Sequence, residues 1–147
     1  MAGDELLRLD DAFLRLRRLW SASRQRIIHT DGRYVEMSTL LVIEACARGA
    51  ARDLPVSVTD VAGFADVVPS TASRLVDRAV TAGFVRRTRP ATGKARSALE
   101  LTPAGKSQHE VSLAARLRWL EHQLDGWPRG AIDDLATLLT HFADNLD

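Results

Sequence analysis

The residues best suited to chemistry in this chain are arginines and short hydroxyls, and they are gathered in one stretch. Residues 69–106 hold Arg74, Arg78, Arg86, Arg87, Arg89, Lys94, Arg96 and Lys106 against only Asp77 and Glu100. The remaining residues carry twelve basic and seventeen acidic side chains, so the net charge of +1 hides one concentrated basic region. Such a region is an electrostatic footprint for a polyanion. Ser70, Thr71 and Ser73 add hydroxyls that can bond phosphates or base edges, and free amides at a helix start attract phosphate. Arg74, one turn further on, carries the fork that bonds guanine O6 and N7 together, a contact that discriminates bases by about 1–3 kcal/mol.

Catalysis finds no comparable gathering. His29, His109, His122 and His141 fit no metal-ligand spacing, and no His-Glu-x-x-His signature or nucleophile–base set is present. The expectation is therefore no enzyme, no metal and no cofactor. Cys46 is the single cysteine, which rules out an intrachain disulfide and a multi-thiolate metal site and agrees with a reducing compartment. Lying in an apolar helical stretch, it reads as a core filler rather than a redox sensor. A hydrophobic share of 46% with 27% charged residues is that of a globular domain. No run approaches the ~18 apolar residues of a membrane span, and the mixed, acidic start is unlike a signal peptide, so a cytoplasmic protein is expected.

The elements that must position the basic residues follow from spacing. Over residues 4–30, Leu6, Leu9, Phe13, Leu16, Leu19 and Trp20 recur at three and four, which predicts one long amphipathic helix. Asp31-Gly32-Arg33 supplies a turn, and an apolar helix over 37–48 is expected to stop at Gly49. Ser57 and Asp60 form a variant capping box for a short helix, which breaks at Asp66-Val67-Val68 and restarts at Pro69. The helix over 69–82 places Ala72, Leu75, Val76, Ala79 and Val80 on one face, leaving the hydroxyls and arginines elsewhere. Gly83 ends it. Residues 84–88 and 97–101 then alternate as a hairpin around Pro90-Ala91-Thr92-Gly93, and Thr102-Pro103 opens another helix. Alternate strand residues face opposite ways, so Arg86, Arg87 and Arg89 cannot all reach DNA from one surface, and Arg87 is expected to pair with Asp77 or an acidic neighbour. Leu113, Leu117, Leu120 and Leu124 form a seam that calls for a partner helix, and Ile132, Leu135, Leu138, Leu139, Phe142 and Leu146 stripe a last helix. The class is mainly α with a small β-hairpin wing: a winged helix-turn-helix flanked by terminal helices.

Val56-Ser57-Val58-Thr59-Asp60-Val61-Ala62, Pro69-Ser70-Thr71-Ala72-Ser73-Arg74-Leu75-Val76-Asp77-Arg78, Gly83-Phe84-Val85-Arg86-Arg87 and Leu101-Thr102-Pro103-Ala104-Gly105 together resemble the MarR (multiple antibiotic resistance regulator) family. The likeness covers nearly the whole chain, and it is the joint order of these pieces that is specific. It implies a single domain over 1–147, with a winged-helix DNA-binding part at about 36–102 and dimerisation helices over 4–30 and 103–146. It also implies a homodimer whose terminal helices interlock, with a recognition helix in the major groove and a wing in the minor groove of double-stranded DNA. The candidate DNA-binding residues are then Ser70, Thr71, Ser73, Arg74 and Arg78 on the helix, and Arg89, Lys94 and Arg96 on the wing. The family's Asp-x-Arg of the wing is replaced here by Gly93 and Ala95, flanked by Lys94 and Arg96, and its polar cap before the recognition helix by Val68. A small aromatic effector, implied by the resemblance alone, would lie near Trp20, Arg24, His29 or Tyr34, each of which also suits ordinary packing. The expected function is sequence-specific transcriptional regulation: a repressor acting as a homodimer on a pseudo-palindromic operator, with half-sites about 34–36 Å apart, and released by a ligand. The alternative is a winged-helix protein-interaction or adaptor dimer that does not read DNA sequence; the leucine seam permits it, whereas the basic segment favours phosphate.

Overall fold

A computed structural model describes residues 3–17, 27–28, 32, 34–89 and 97–146. The chain divides into two compact units, Met1–Ser112 and Leu113–Asp147. The first holds α1 (Gly3–Leu16), β1 (Ile27–Ile28), β2 (Tyr34–Val35), α2 (Met37–Ala51), α3 (Val58–Ala65), α4 (Pro69–Thr81), β3 (Val85–Thr88) and β4 (Ala98–Leu101), and α5 (Pro103–Gln123) runs from the first unit into the second. The second unit is completed by α6 (Arg129–Asp144).

The core of the first unit is apolar side chains from α2, α3, α4 and the β3–β4 pair. Val42, Ile43, Val61, Ala72, Val76 and Ala79 are all sealed from solvent at its centre. The local signals that build it are satisfied one by one. Asp60 donates its amide to Ser57 Oγ at 3.1 Å while Ser57 donates its own to Asp60 Oδ2 at 2.7 Å, which completes the capping box of α3. Asp66 stops α3 in the left-handed region at φ 53°, and Pro69 opens α4 three residues later. That tight turn makes α3 and α4 a helix-turn-helix. Beyond Gly83, at φ 83°, β3 and β4 pair antiparallel with Val85 opposite Leu101 and Thr88 opposite Ala98. Leu99 also donates to the Val56 carbonyl at 2.8 Å, so the segment before α3 adds a bridge to the free edge of β4.

One junction ties these pieces together. Thr102 Oγ1 accepts from the Gly105 amide at 3.0 Å, capping α5, and donates to the carbonyl of Gly83, where α4 has just ended. The Thr102 amide donates to the Phe84 carbonyl at 3.0 Å. A Cβ at Gly105 would run into that same Phe84 carbonyl oxygen and lie 3.2 Å from Leu101 Cδ2, so the first turn of α5 sits directly on the backbone entering β3.

Two expectations are corrected. Of the helix predicted over 4–30, the described part is α1, Gly3–Leu16; residues 18–26 and 29–30 lie outside the described residues, and Ile27 and Ile28 pair with Val35 and Tyr34 as a strand. Both isoleucines are β-branched, and Gly32, at φ 84°, lies between the two strands; those features outweigh a helical periodicity carried forward from the Leu6–Leu16 stretch. Gly49 does not end α2, which runs on to Ala51. Its role is steric: a Cβ there would overlap Val56 Cγ2 and lie 3.0 Å from the Leu54 carbonyl oxygen, so the chain leaving α2 folds back against a bare helix backbone.

In the second unit the last turns of α5 and the whole of α6 are separated by Gly126, at φ 78°, and Pro128. No residue of α6 is buried, and Leu138, Leu139 and Phe142 are all exposed, as is Leu146 beyond the helix end. No helix of the described residues is long and apolar enough to cross a membrane.

Replacing Gly105 with Ala tests the junction, because helix propensity and packing point in opposite directions. Propensity alone would stabilise by about 1 kcal/mol, whereas overpacking against fixed backbone costs about 1–3 kcal/mol or more. A lower urea midpoint with unchanged slope is expected for Gly105→Ala; a higher midpoint would show that α5 does not approach Phe84 this closely. Burial also pushes the Cys46 thiol up to about 11, so it stays protonated in the fold while an unfolded chain ionises near ~8.5. Its contribution to stability is intact below that lower value and is lost as pH climbs towards the higher one. Alkylation of Cys46 at pH near ~8 should run at least ~100-fold slower in the native protein than in denaturant, and equal rates would contradict the buried placement.

Candidate nucleic-acid interface

The helix-turn-helix presents α4 with its apolar face inward and its polar face free. Ala72, Val76 and Ala79 are buried, whereas Ser70, Arg74, Asp77 and Arg78 are exposed and Thr71 and Ser73 half-buried. The spacing of four along Ser70, Arg74 and Arg78 keeps these three on neighbouring rows of one helix face. Val68, the residue before α4, has no side-chain oxygen with which to cap it. At its first turn the Thr71 and Ala72 amides donate to the Val68 carbonyl, both at 3.0 Å. A helix start without a side-chain acceptor, followed by hydroxyls, is a place where an anionic oxygen finds donors.

The charges around this face fall into pairs and a remainder. Arg87 Nη2 lies 2.6 Å from Asp77 Oδ1, which joins β3 to the exposed side of α4. Arg86 donates to Glu100 Oε2 on the facing strand at 2.9 Å, with the two residues directly opposed in the ladder. Strand alternation therefore assigns Arg87 to the helix side and Arg86 to the other side of the sheet, so both of these arginines are engaged within the protein. Arg78 Nη1 stands 3.7 Å from Glu36 Oε2, at the start of α2. Arg74 makes no ion pair among the described residues and is exposed. Arg89 is exposed just beyond β3. Lys94 and Arg96 of the expected wing tip lie outside the described residues, as do Trp20, Arg24 and His29 of the expected ligand site; Tyr34 is exposed on β2.

Two features of the site had no clear signal in the sequence. Glu36 reaches Arg78 across 42 positions of chain, and nothing in local spacing links them. His109 on α5 places Nδ1 3.2 Å from Glu44 Oε2 on α2, close but without hydrogen-bond alignment. Among the described residues no three of His, Cys, Asp and Glu come together in a way that could hold a metal ion.

No protein-family model and no curated protein sequence matches the chain. Solved structures do match, along nearly its full length. A MarR family transcriptional regulator from Silicibacter pomeroyi is 15% identical with a TM-score of 0.75, covering 93% of this chain and 88% of its own. A MarR/EmrR family regulator from Acinetobacter sp. ADP1 is 16% identical with a TM-score of 0.67, covering 100% and 98%. BpsR of Bordetella bronchiseptica, a protein whose DNA binding is regulated by 6-hydroxynicotinic acid, is 14% identical with a TM-score of 0.66, covering 92% and 98%. The chain thus has the winged-helix fold of the MarR family regulators.

The Asp77–Arg87 pair is short but exposed, with 65% and 37% of the two side chains open to solvent. A double-mutant cycle on Asp77→Ala and Arg87→Ala should return a coupling of no more than about 1 kcal/mol in thermal or urea unfolding. A coupling several times larger would mean that the pair holds the helix-turn-helix together rather than trimming the angle of α4 to the wing.

Proposed function

We propose that this chain is a sequence-specific DNA-binding transcriptional regulator of the MarR type, acting as a homodimeric repressor. The observation that carries the reading is the exposed face of α4, where Arg74 extends from a helix-turn-helix while Arg78 beside it and Arg87 on β3 stand against acids. In this arrangement Arg74 reads a guanine edge in the major groove, while Ser70, Thr71 and Ser73 bond phosphates around an uncapped helix start. Arg89, with Lys94 and Arg96, supplies the wing's contacts to the backbone and minor groove.

The dimer reading is supported by apolar side chains that a lone protomer leaves in solvent. Leu6, Leu9 and Phe13 of α1 are exposed, as are Leu113, Leu117 and Leu120 of α5 and Leu138, Leu139 and Phe142 of α6. Burial of such surface at about 25 cal/mol per Å² favours a second copy strongly enough to hold two recognition helices at a fixed spacing. Each would enter a half-site, so the operator is a pseudo-palindrome. A small aromatic molecule is the effector class we propose, by analogy with BpsR and its 6-hydroxynicotinic acid. It would release DNA by favouring a different spacing of the two helices.

The test is a fluorescence-anisotropy titration of the protein against its own upstream intergenic DNA and an unrelated duplex, at several salt concentrations. Saturable binding that prefers the upstream DNA and weakens with salt is expected, with the preference falling about 10- to 100-fold in Arg74→Ala. Equal binding to both duplexes by verified dimer, unchanged in Arg74→Ala, would favour a protein-interaction role for the winged helix.

A further inference from the structure

Arg78 differs from Arg74 in one respect: an acid stands against it. Glu36 Oε2 lies 3.7 Å from Arg78 Nη1 and accepts from Ser38 Oγ at 3.4 Å. Both side chains are well exposed, at 72% for Glu36 and 64% for Arg78, so the pair adds little to the stability of the fold. Its position is more informative than its strength. Glu36 immediately precedes α2, at the positive end of that helix, and α2 has no side-chain cap. The helix start and the Arg78 guanidinium would together attract a phosphate, and the carboxylate of Glu36 occupies that place.

We propose that Glu36 restrains sequence-independent DNA affinity: by neutralising Arg78 it removes one phosphate contact and leaves the choice of sequence to Arg74. This rests on the DNA-binding reading above. A paired cation acts on a distant phosphate as part of a dipole, whose attraction decays faster than that of a free charge. Arg78 can make a full phosphate contact only after leaving Glu36, and the carboxylate left behind then repels the same backbone. Non-specific binding consists almost entirely of such contacts and specific binding adds base-edge bonds to them, so the carboxylate weakens both by the same step and leaves the ratio between them to Arg74.

The experiment measures binding to a random-sequence duplex and to the protein's own upstream DNA for wild type, Glu36→Gln, Arg78→Ala and the double variant, across salt. Glu36→Gln should tighten random-duplex binding about five- to tenfold at low salt and steepen the salt slope by about 0.9, the increment of one further phosphate. Its affinity for upstream DNA should rise by a similar factor, leaving the preference within about twofold. In the Arg78→Ala background the same substitution should change random-duplex affinity by less than about twofold. Unchanged affinity in Glu36→Gln overturns the proposal, and so does an equal gain in the Arg78→Ala background, which would assign the effect to net charge alone. Wild type that binds neither duplex overturns the DNA-binding reading and this inference with it; wild type that prefers its own DNA while Glu36→Gln binds the random duplex no more tightly overturns the inference only.

Discussion

The bonds of Thr102 are the constraint on which the rest of the first unit depends. One hydroxyl joins the Gly83 carbonyl, just past the end of α4, to the Gly105 amide at the start of α5, and the Thr102 amide closes on Phe84 between them. Without it the Gly105 amide, one of the open donors at the start of α5, would lack its partner at a crowded turn. Because the same residue serves both, α4, the strand that follows it and the long helix beyond share one anchor. The bare backbone of Gly105 lets that anchor close, since any side chain would meet the Phe84 carbonyl. The angle between α4 and the wing is thus set by backbone geometry, with Asp77 and Arg87 adding a weak second strut outside it.

With the backbone fixed in this way, the surface charges can be arranged for purposes other than stability. Six named acidic and basic side chains around α4 and β3 form three exposed pairs, each worth at most about 1 kcal/mol to the fold. Their effect is on the field that the helix face presents. Residues 69–106 are predominantly basic in sequence, yet pairing offsets Arg78, Arg86 and Arg87 locally and leaves Arg74 prominent on α4. Among the described residues of α4, Arg74 is thus the guanidinium left without an acidic partner, and its charge dominates the local field.

What the sequence made legible were features whose physics is local. The Ser57–Asp60 box, Pro69 at the head of α4, Gly83 at its foot and the Thr102 cap each depend on residues within four positions, and each is where its spacing predicts. Pairing of Arg87 with Asp77 was legible too, because strand alternation leaves few directions for the side chain. The errors fell where long-range shape decides. Ile27 and Ile28 suit either periodicity and are settled by pairing with β2, and Gly49 resembles a helix stop until Val56 is seen lying against it. The Glu36–Arg78 contact joins the head of one helix to the middle of another and has no sequence signature at all.

Gly49 and Gly105 carry a further consequence. At both, what the fold requires is that atoms be missing, since a neighbouring chain occupies the volume a side chain would fill. Most of the remaining core asks only for apolar bulk of about the right size, a demand that many combinations of residues meet. A shape specified by a few empty places and a tolerant filling can be inherited long after its lettering has been rewritten. That explains how a chain only 14–16% identical to solved regulators can superimpose on them along nearly its whole length while no family model matches it.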